Sequence, residues 1–375
     1  MTLSLKEAPC AAGRTLKSII LAAAVCICSV TACPGLAQDA GGWISKKGTS
    51  FVRNGKTFKF IGANAVNLVF YDDWGLDLDK AVATAKKNNI SVLRLYMNWG
   101  WAKDEDFDAI ISKASESGIY LILVLTDCCC SSDYEDLSGY FKVHAPFCNV
   151  TEEKSRAAFK NRIKQIIERR NILSGRLYRE EPAILAWEIA NELEYGHFSG
   201  PQVRSWVEDI SGFIRRLDRN HLITISIVTD GADFDSGNKL YRMFDIDNID
   251  FFSFHFYPGV LVSGSTERID RGYVKKIKTR VKNFIAMGKP VVMGEFGFSN
   301  RADINSKFRS GEKSALYTGV FRESFDAAFA SGASGVLFWG WGVREEKDIP
   351  MWWAGESHNE GDREFSAFIR DYRMR

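Results

Sequence analysis

The run Ile184-Leu185-Ala186-Trp187-Glu188-Ile189-Ala190-Asn191-Glu192 is apolar along its length and acidic at its end. Burying a carboxylate at the tip of such a strand is costly unless partners serve the charge. A second run of this kind, Pro290-Val291-Val292-Met293-Gly294-Glu295, comes later, with Phe296-Gly297-Phe298 behind it.

Outward from these two runs, strand-like and helix-like segments alternate. The strand candidates are Thr57–Ala63, Ser91–Met97, Tyr120–Thr126, Ile184–Ala190, Leu222–Val228, Asp250–Phe256, Pro290–Gly294 and Gly335–Trp339. They are short, rich in apolar and β-branched residues, and bounded by Gly, Asn, Asp or Pro, as buried parallel strands are. Longer segments with helical periodicity lie between them, for example Leu78–Asn89, Asp106–Ser117, Glu152–Ser174, Gly200–Asp218, Tyr273–Met287 and Lys313–Ser331. Eight strand–helix units predict a single (β/α)8 TIM barrel in the α/β class, occupying residues 38–375. The alternative, an open doubly wound sheet, lacks its Gly-rich nucleotide loop after the first strand.

Residues 1–37 read as a secretory signal peptide removed from the mature chain. Lys6, Arg14 and Lys17 precede an apolar stretch from Ser18 to Ala32, and Gly35-Leu36-Ala37 offers a cleavage site. The expected location is outside the cytoplasm, extracellular or periplasmic. Val30-Thr31-Ala32-Cys33 allows an alternative, a lipoprotein anchored through Cys33, and only that route predicts stable membrane association. Removing three bases and one acid (Glu7) takes the formal charge from +2 to zero. A neutral chain gives no electrostatic case for nucleic acid as a partner. With no repeat and no linker, one domain and a monomer are expected.

Of eight cysteines, Cys128, Cys129, Cys130 and Cys148 lie in one connecting segment. Export predicts a disulfide between Cys148 and one of the triplet. No C-x-x-C spacing supports a metal site, and neither metal nor organic cofactor is expected.

If both glutamate-tipped strands belong to one barrel, Glu192 and Glu295 share its C-terminal mouth, where catalytic groups collect. A facing carboxylate pair is the equipment of glycoside hydrolysis, in its retaining form when the two lie close together. Helix capping or an ion pair is the bland alternative for Glu192. Glu188, deeper in the strand, reads as a supporting residue. His255 and Tyr257, two apart near a strand tip, face one side, and the hydroxyl can orient a carboxylate. Arg94, inside Val92-Leu93-Arg94-Leu95-Tyr96, needs a buried carboxylate partner, for which Glu295 is the candidate. Arg94 and Tyr257 are expected to lower one carboxyl's pKa and burial near Trp187 to raise the other. Indole faces suit stacking on pyranose rings. Trp339 is the leading platform, with Trp99, Trp101, Trp341, Trp352 and Trp353 also near predicted tips.

Together Asn191-Glu192, His255-x-Tyr257, Gly294-Glu295, Arg94 and Trp339 resemble glycoside hydrolase family 5. The segment from Lys160 to Glu192, above all Arg169 to Glu188, is similar to its endo-β-1,4-mannanase subfamily, and the resemblance extends from about Phe51 to Trp339. It implies Glu192 as acid/base and Glu295 as nucleophile, with Arg94, Asn191, His255, Tyr257 and Trp339 around the sugar. The implied substrate is mannan, glucomannan or galactomannan, cut at internal bonds with retention. Two departures stand out. Leu193 follows Glu192 where that subfamily usually has proline, and Thr126-Asp127-Cys128-Cys129-Cys130 replaces an Asn-rich, Trp-containing stretch. Alternatives on the same scaffold are an exo-acting β-mannosidase or mannobiohydrolase and a β-1,4-glucanase. A non-catalytic secreted polysaccharide-binding protein is the alternative of another class.

Overall fold

The computed structural model describes residues 42–72, 76–97, 103–128, 148–193, 199–229, 240–257, 272–297, 310–342, 358–359 and 363–374. The expected signal segment lies outside them, as do Cys33, Trp99, Trp101, Cys129, Cys130, Trp352 and Trp353.

Eight strand positions run parallel around a TIM barrel as expected, except that the first candidate, Thr57–Ala63, divides: Thr57 and Phe58 join an antiparallel strand, and the barrel strand begins at Phe60. The eight positions are β4 (Phe60–Asn64), β5 (Ile90–Tyr96), β6 (Tyr120–Val124), β7 (Ile184–Glu188), a fifth position split into β8 (Leu222–Thr224) and β9 (Ser226–Val228), then β10 (Phe252–Phe256), β11 (Val291–Phe296) and β12 (Gly335–Phe338). The order β8-β7-β6-β5-β4-β12-β11-β10-β9 returns to the split strand and so closes the ring. At the split, Thr224 turns its hydroxyl onto the Phe251 carbonyl at 2.8 Å, placing a side-chain bond where the ladder breaks.

The described helices α1 (Leu78–Lys87), α2 (Asp104–Ser117), α3 (Glu153–Ile167), α4 (Gly200–Leu217), α5 (Gly272–Ile285) and α6 (Ser310–Ala330) follow the periodicity. The exception is the end of α3, expected at Ser174. There the Asn171 side-chain oxygen accepts the N–H groups of Leu173 and Ser174 at 2.8 and 3.0 Å, an Asx turn that competes with further helix. Among the described residues, no helix is long and apolar enough to cross a membrane.

An N-terminal sheet and a C-terminal helix lie beyond the sequence expectation, as does a short parallel pairing of Trp341–Gly342 with His358–Asn359. An antiparallel sheet, β1 (Ile44–Lys47), β2 (Ser50–Arg53) and β3 (Lys56–Phe58), precedes the barrel. Its second turn is Asn54-Gly55, both at positive φ (50° and 75°), the backbone twist a tight hairpin needs. Through it Phe51 and Phe58 enter a buried cluster with Phe60, Val92, Ile122, Leu185, Phe251 and Leu337. Each buried phenylalanine contributes about 2–3 kcal/mol of apolar burial. This cluster closes the N-terminal end and leaves the C-terminal end for polar groups. The second addition, α7 (Arg363–Asp371), lays Phe365 and Phe368 against Phe321 and Phe325 of α6.

Candidate active site

Arg94 organises the C-terminal mouth. It sits in β5 with a fully buried side chain, and a guanidinium there cannot shed its charge. The expected partner Glu295 meets Nη1 at 2.7 Å, but the two-point partner is Glu188 of β7, which takes Nε at 2.8 and Nη2 at 2.6 Å. Asn64 Oδ1 accepts from Nη1 at 2.8 Å, and Asn191 Oδ1 accepts from Nη2 at 2.7 Å. Burial opposes the guanidinium charge, yet the carboxylates outweigh it and hold the Arg94 pKa well above its ordinary value. Glu188 is the buried supporting residue that its depth in the strand suggested.

Asn191 and Glu192 follow the end of β7. The Asn191 amide donates to Asp127 Oδ1 at 2.8 Å, just before Cys128. The Cys128–Cys148 disulfide joins the two cysteines across a sequence separation of 20, so the triplet member paired with Cys148 is Cys128. Glu192 occupies left-handed backbone at φ 45°, unusual for a residue with a Cβ, and its N–H meets Ser226 Oγ at 3.2 Å. Such strain marks sites where surrounding structure dictates a side chain's aim. Here Glu192 Oε1 lies 2.6 Å from His255 Nδ1.

Glu295 comes from β11. The register with β10 slips between Phe254 and His255, pairing His255 with Glu295 and passing over Gly294. A Cβ on Gly294 would sit 2.1 Å from Ser253 Oγ, so a larger residue there would force that side chain to move. The Glu295 carboxyl is nearly buried and takes three hydrogen bonds. Arg94 Nη1 (2.7 Å) and the Tyr96 hydroxyl (2.9 Å) serve Oε1, while the Tyr257 hydroxyl serves Oε2 at 2.6 Å. His255 Nδ1 is 3.4 Å from Oε1.

The electrostatics correct one expectation. Arg94 and Tyr257 were to bring this carboxyl down, but burial dominates and raises the Glu295 pKa. His255, Arg94 and the Tyr257 hydrogen bond work against the rise, and neighbouring Glu192 adds to it. Burial lowers His255 to about 4, so its imidazole is neutral near neutral pH. Its Nε2 has no hydrogen-bond partner among the described residues. Burial and the nearby carboxylates raise Tyr257, which stays a proton donor.

Glu192, His255 and Glu295 present ligand atoms all within 4.8 Å of one another, the spacing of a possible cation site. Both Glu295 oxygens already accept hydrogen bonds, one from a guanidinium, so a cation would have to displace Arg94 or tyrosine donors. The donor set fits a metal poorly.

Trp339 stands half-buried at the rim after β12, its ring edge-on to Tyr96 at 6.4 Å. The structure thus brings Arg94, Asn191, Glu192, His255, Tyr257, Glu295 and Trp339 to one mouth. Trp99, also expected there, lies outside the described residues. Trp341 is buried in the core and offers no platform. Sequence reasoning missed Tyr96, Asn64, Asp127 and Ser226. Tyr96 was within reach, because it lies two residues beyond Arg94 in one strand and therefore on the same face.

A barrel whose mouth holds two carboxylates with oxygens within 4.8 Å, one in a cage of donors, has the equipment of a glycoside hydrolase. The family model described as GH family 5 beta-mannosidase-like matches residues 64–365, and the chain belongs to that family. The mannan endo-1,4-beta-mannosidase 1 of Oryza sativa subsp. japonica is 25% identical over 346 residues, covering 80% of this chain and 78% of its own length. The endo-beta-1,4-mannanase of Thermotoga petrophila superposes with a TM-score of 0.67 at 26% identity, covering 85% of this chain and 77% of that one. The endo-1,4-beta-mannanase of Rhizomucor miehei shares the fold at TM-score 0.69 and 22% identity, covering 88% of this chain and 98% of that one.

Proposed function

We propose that this chain is a retaining endo-β-1,4-mannanase acting on mannan, glucomannan or galactomannan. The observation that carries the retaining mechanism is the 4.8 Å limit on the spacing of Glu192 and Glu295 ligand oxygens. Retaining enzymes hold their carboxyl groups about 5–5.5 Å apart, and inverting enzymes leave room for a water at about 6.5–9.5 Å. The two environments suggest the roles. Glu295 is fixed by Arg94, Tyr96 and Tyr257, donors that favour a carboxylate. Glu192 is the more open of the two, and its Oε1 faces His255 Nδ1 at 2.6 Å.

Glu295 attacks the anomeric carbon while Glu192 protonates the departing glycosidic oxygen. Glu192 then takes a proton from water, which releases the sugar from Glu295. Asn191, His255 and Tyr257 line the sugar's place, and Trp339 offers an indole face. The mannan preference rests on the printed activities of the relatives above and on the family. Because the mouth is built from one chain, a monomer suffices.

Reducing-sugar release from mannan, carboxymethylcellulose and xylan, with products sized over time, tests the reading. Early mixed manno-oligosaccharides support it. A single small product from the first minutes would shift it to an exo-mannosidase, and preference for carboxymethylcellulose to a glucanase.

We further propose export, with residues 1–37 removed. The Cys128–Cys148 disulfide supports this, since such bonds persist in oxidising compartments. Mass analysis of the exported chain distinguishes cleavage after Ala37 from lipidation at Cys33.

A further inference from the structure

Tyr96 closes β5 with its ring fully buried, and its hydroxyl lies between two charges. It accepts from Arg94 Nη1 at 2.8 Å and donates to Glu295 Oε1 at 2.9 Å, while Arg94 Nη1 reaches that same oxygen at 2.7 Å. A carboxylate oxygen has about two lone-pair sites. On Oε1 both are engaged. Oε2 meets the Tyr257 hydroxyl at 2.6 Å and, among the described residues, no other donor.

We infer that Tyr96 is a positioning residue for the nucleophile. With Arg94 it occupies Oε1, so that Oε2 delivers the attack, and it favours the charged carboxylate. This deepens the proposed function and rests on Glu295 being the nucleophile. In the step, a lone pair of Oε2 forms the bond to the anomeric carbon. The bond from that carbon to the glycosidic oxygen breaks, its electrons stay on that oxygen, and the oxygen takes the proton of Glu192. Glu295 loses its charge, and Oε1 becomes the ester carbonyl oxygen, still beside Arg94 and Tyr96.

Other groups that set the Glu295 charge surround it. His255 and Tyr257 face it from β10, and Glu192 from beyond β7. Glu188 of β7 stands behind Arg94, and Asp127 acts on Tyr96 from beyond β6.

Tyr96→Phe keeps the ring against Trp339 and removes only the hydroxyl. The acid limb of its kcat/KM profile is expected to move up by about one pH unit, because the charged carboxylate loses a donor. An even loss at every pH with the limb unmoved would assign Tyr96 a packing role and overturn the inference. Should the variant not fold, the wild-type enzyme still decides. Trapped with a 2-deoxy-2-fluoro-β-mannosyl fluoride and crystallised, it should show the ester through Oε2, with Oε1 near Tyr96. An ester through Oε1 contradicts the inference. If no adduct forms on Glu295, and Glu295→Ala keeps turnover, the nucleophile assignment itself fails.

Discussion

Two buried histidines, at opposite ends of the barrel, meet a carboxylate through the same ring nitrogen and differ in everything else. At the N-terminal end His221 Nδ1 faces Asp218 at 2.5 Å, and Nε2 faces the Glu181 carbonyl at 2.9 Å. Its ring lies edge-on to Trp43 and Trp187, and the Trp187 indole N–H also donates to Asp218, at 2.7 Å. At the C-terminal end His255 Nδ1 faces Glu192 at 2.6 Å, while Nε2 has no partner among the described residues. The first is a completed network, which fixes a fold. The second keeps hydrogen-bonding capacity in reserve, at a cost in stability that rigid surroundings can bear.

The largest expected effects test whether the C-terminal end carries the chemistry. Glu192→Ala should lower mannan turnover by about 10²–10⁴-fold, the range of a lost general acid, and Glu295→Ala should abolish it. Unchanged activity in either, measured on folded protein, breaks the contrast. Next comes Arg94→Leu, which leaves Glu188 buried without its cation. Unfolding by denaturant should show a loss of about 3–5 kcal/mol, together with lost turnover. At the other end His221→Ala should cost about 1–3 kcal/mol by leaving Asp218 poorly partnered, with kcat unchanged below the melting range. A fall in kcat comparable to that of Glu192→Ala would mean the two ends are not separate in role.

A further effect is a pH dependence. His255 in the folded chain titrates at about 4, below its ordinary 6.5, so the unfolded chain takes up the proton first. Its contribution to stability is present above 6.5 and is lost as pH falls through about 4. His255→Asn should flatten that part of the stability profile, read by melting temperature across the acid range.

The strands were legible because buried parallel strands are continuous apolar runs with breakers at both ends, as in Ile184 to Glu192. The residues Glu192, Glu295, Arg94, His255 and Tyr257 were legible because charged or polar groups at such tips need a reason to be there. Asn64, Asp127 and Ser226 were not. Their side chains are ordinary in sequence and gain meaning only from cross-strand neighbours, as where Asn64 pairs with Arg94 between β4 and β5. The Gly294 slip that sets His255 opposite Glu295 is likewise a property of register. The β1–β3 sheet had a local signal in Asn54-Gly55, but its closing role depends on the distant Phe251, 5.1 Å from Phe51.

The central claim is that Glu192 and Glu295 act as acid/base and nucleophile across a short gap, their ligand oxygens within 4.8 Å. Proton NMR of the first sugar released from a manno-oligosaccharide reads this directly, before mutarotation mixes the anomers. The account predicts the β-anomer first, and initial appearance of the α-anomer would contradict it.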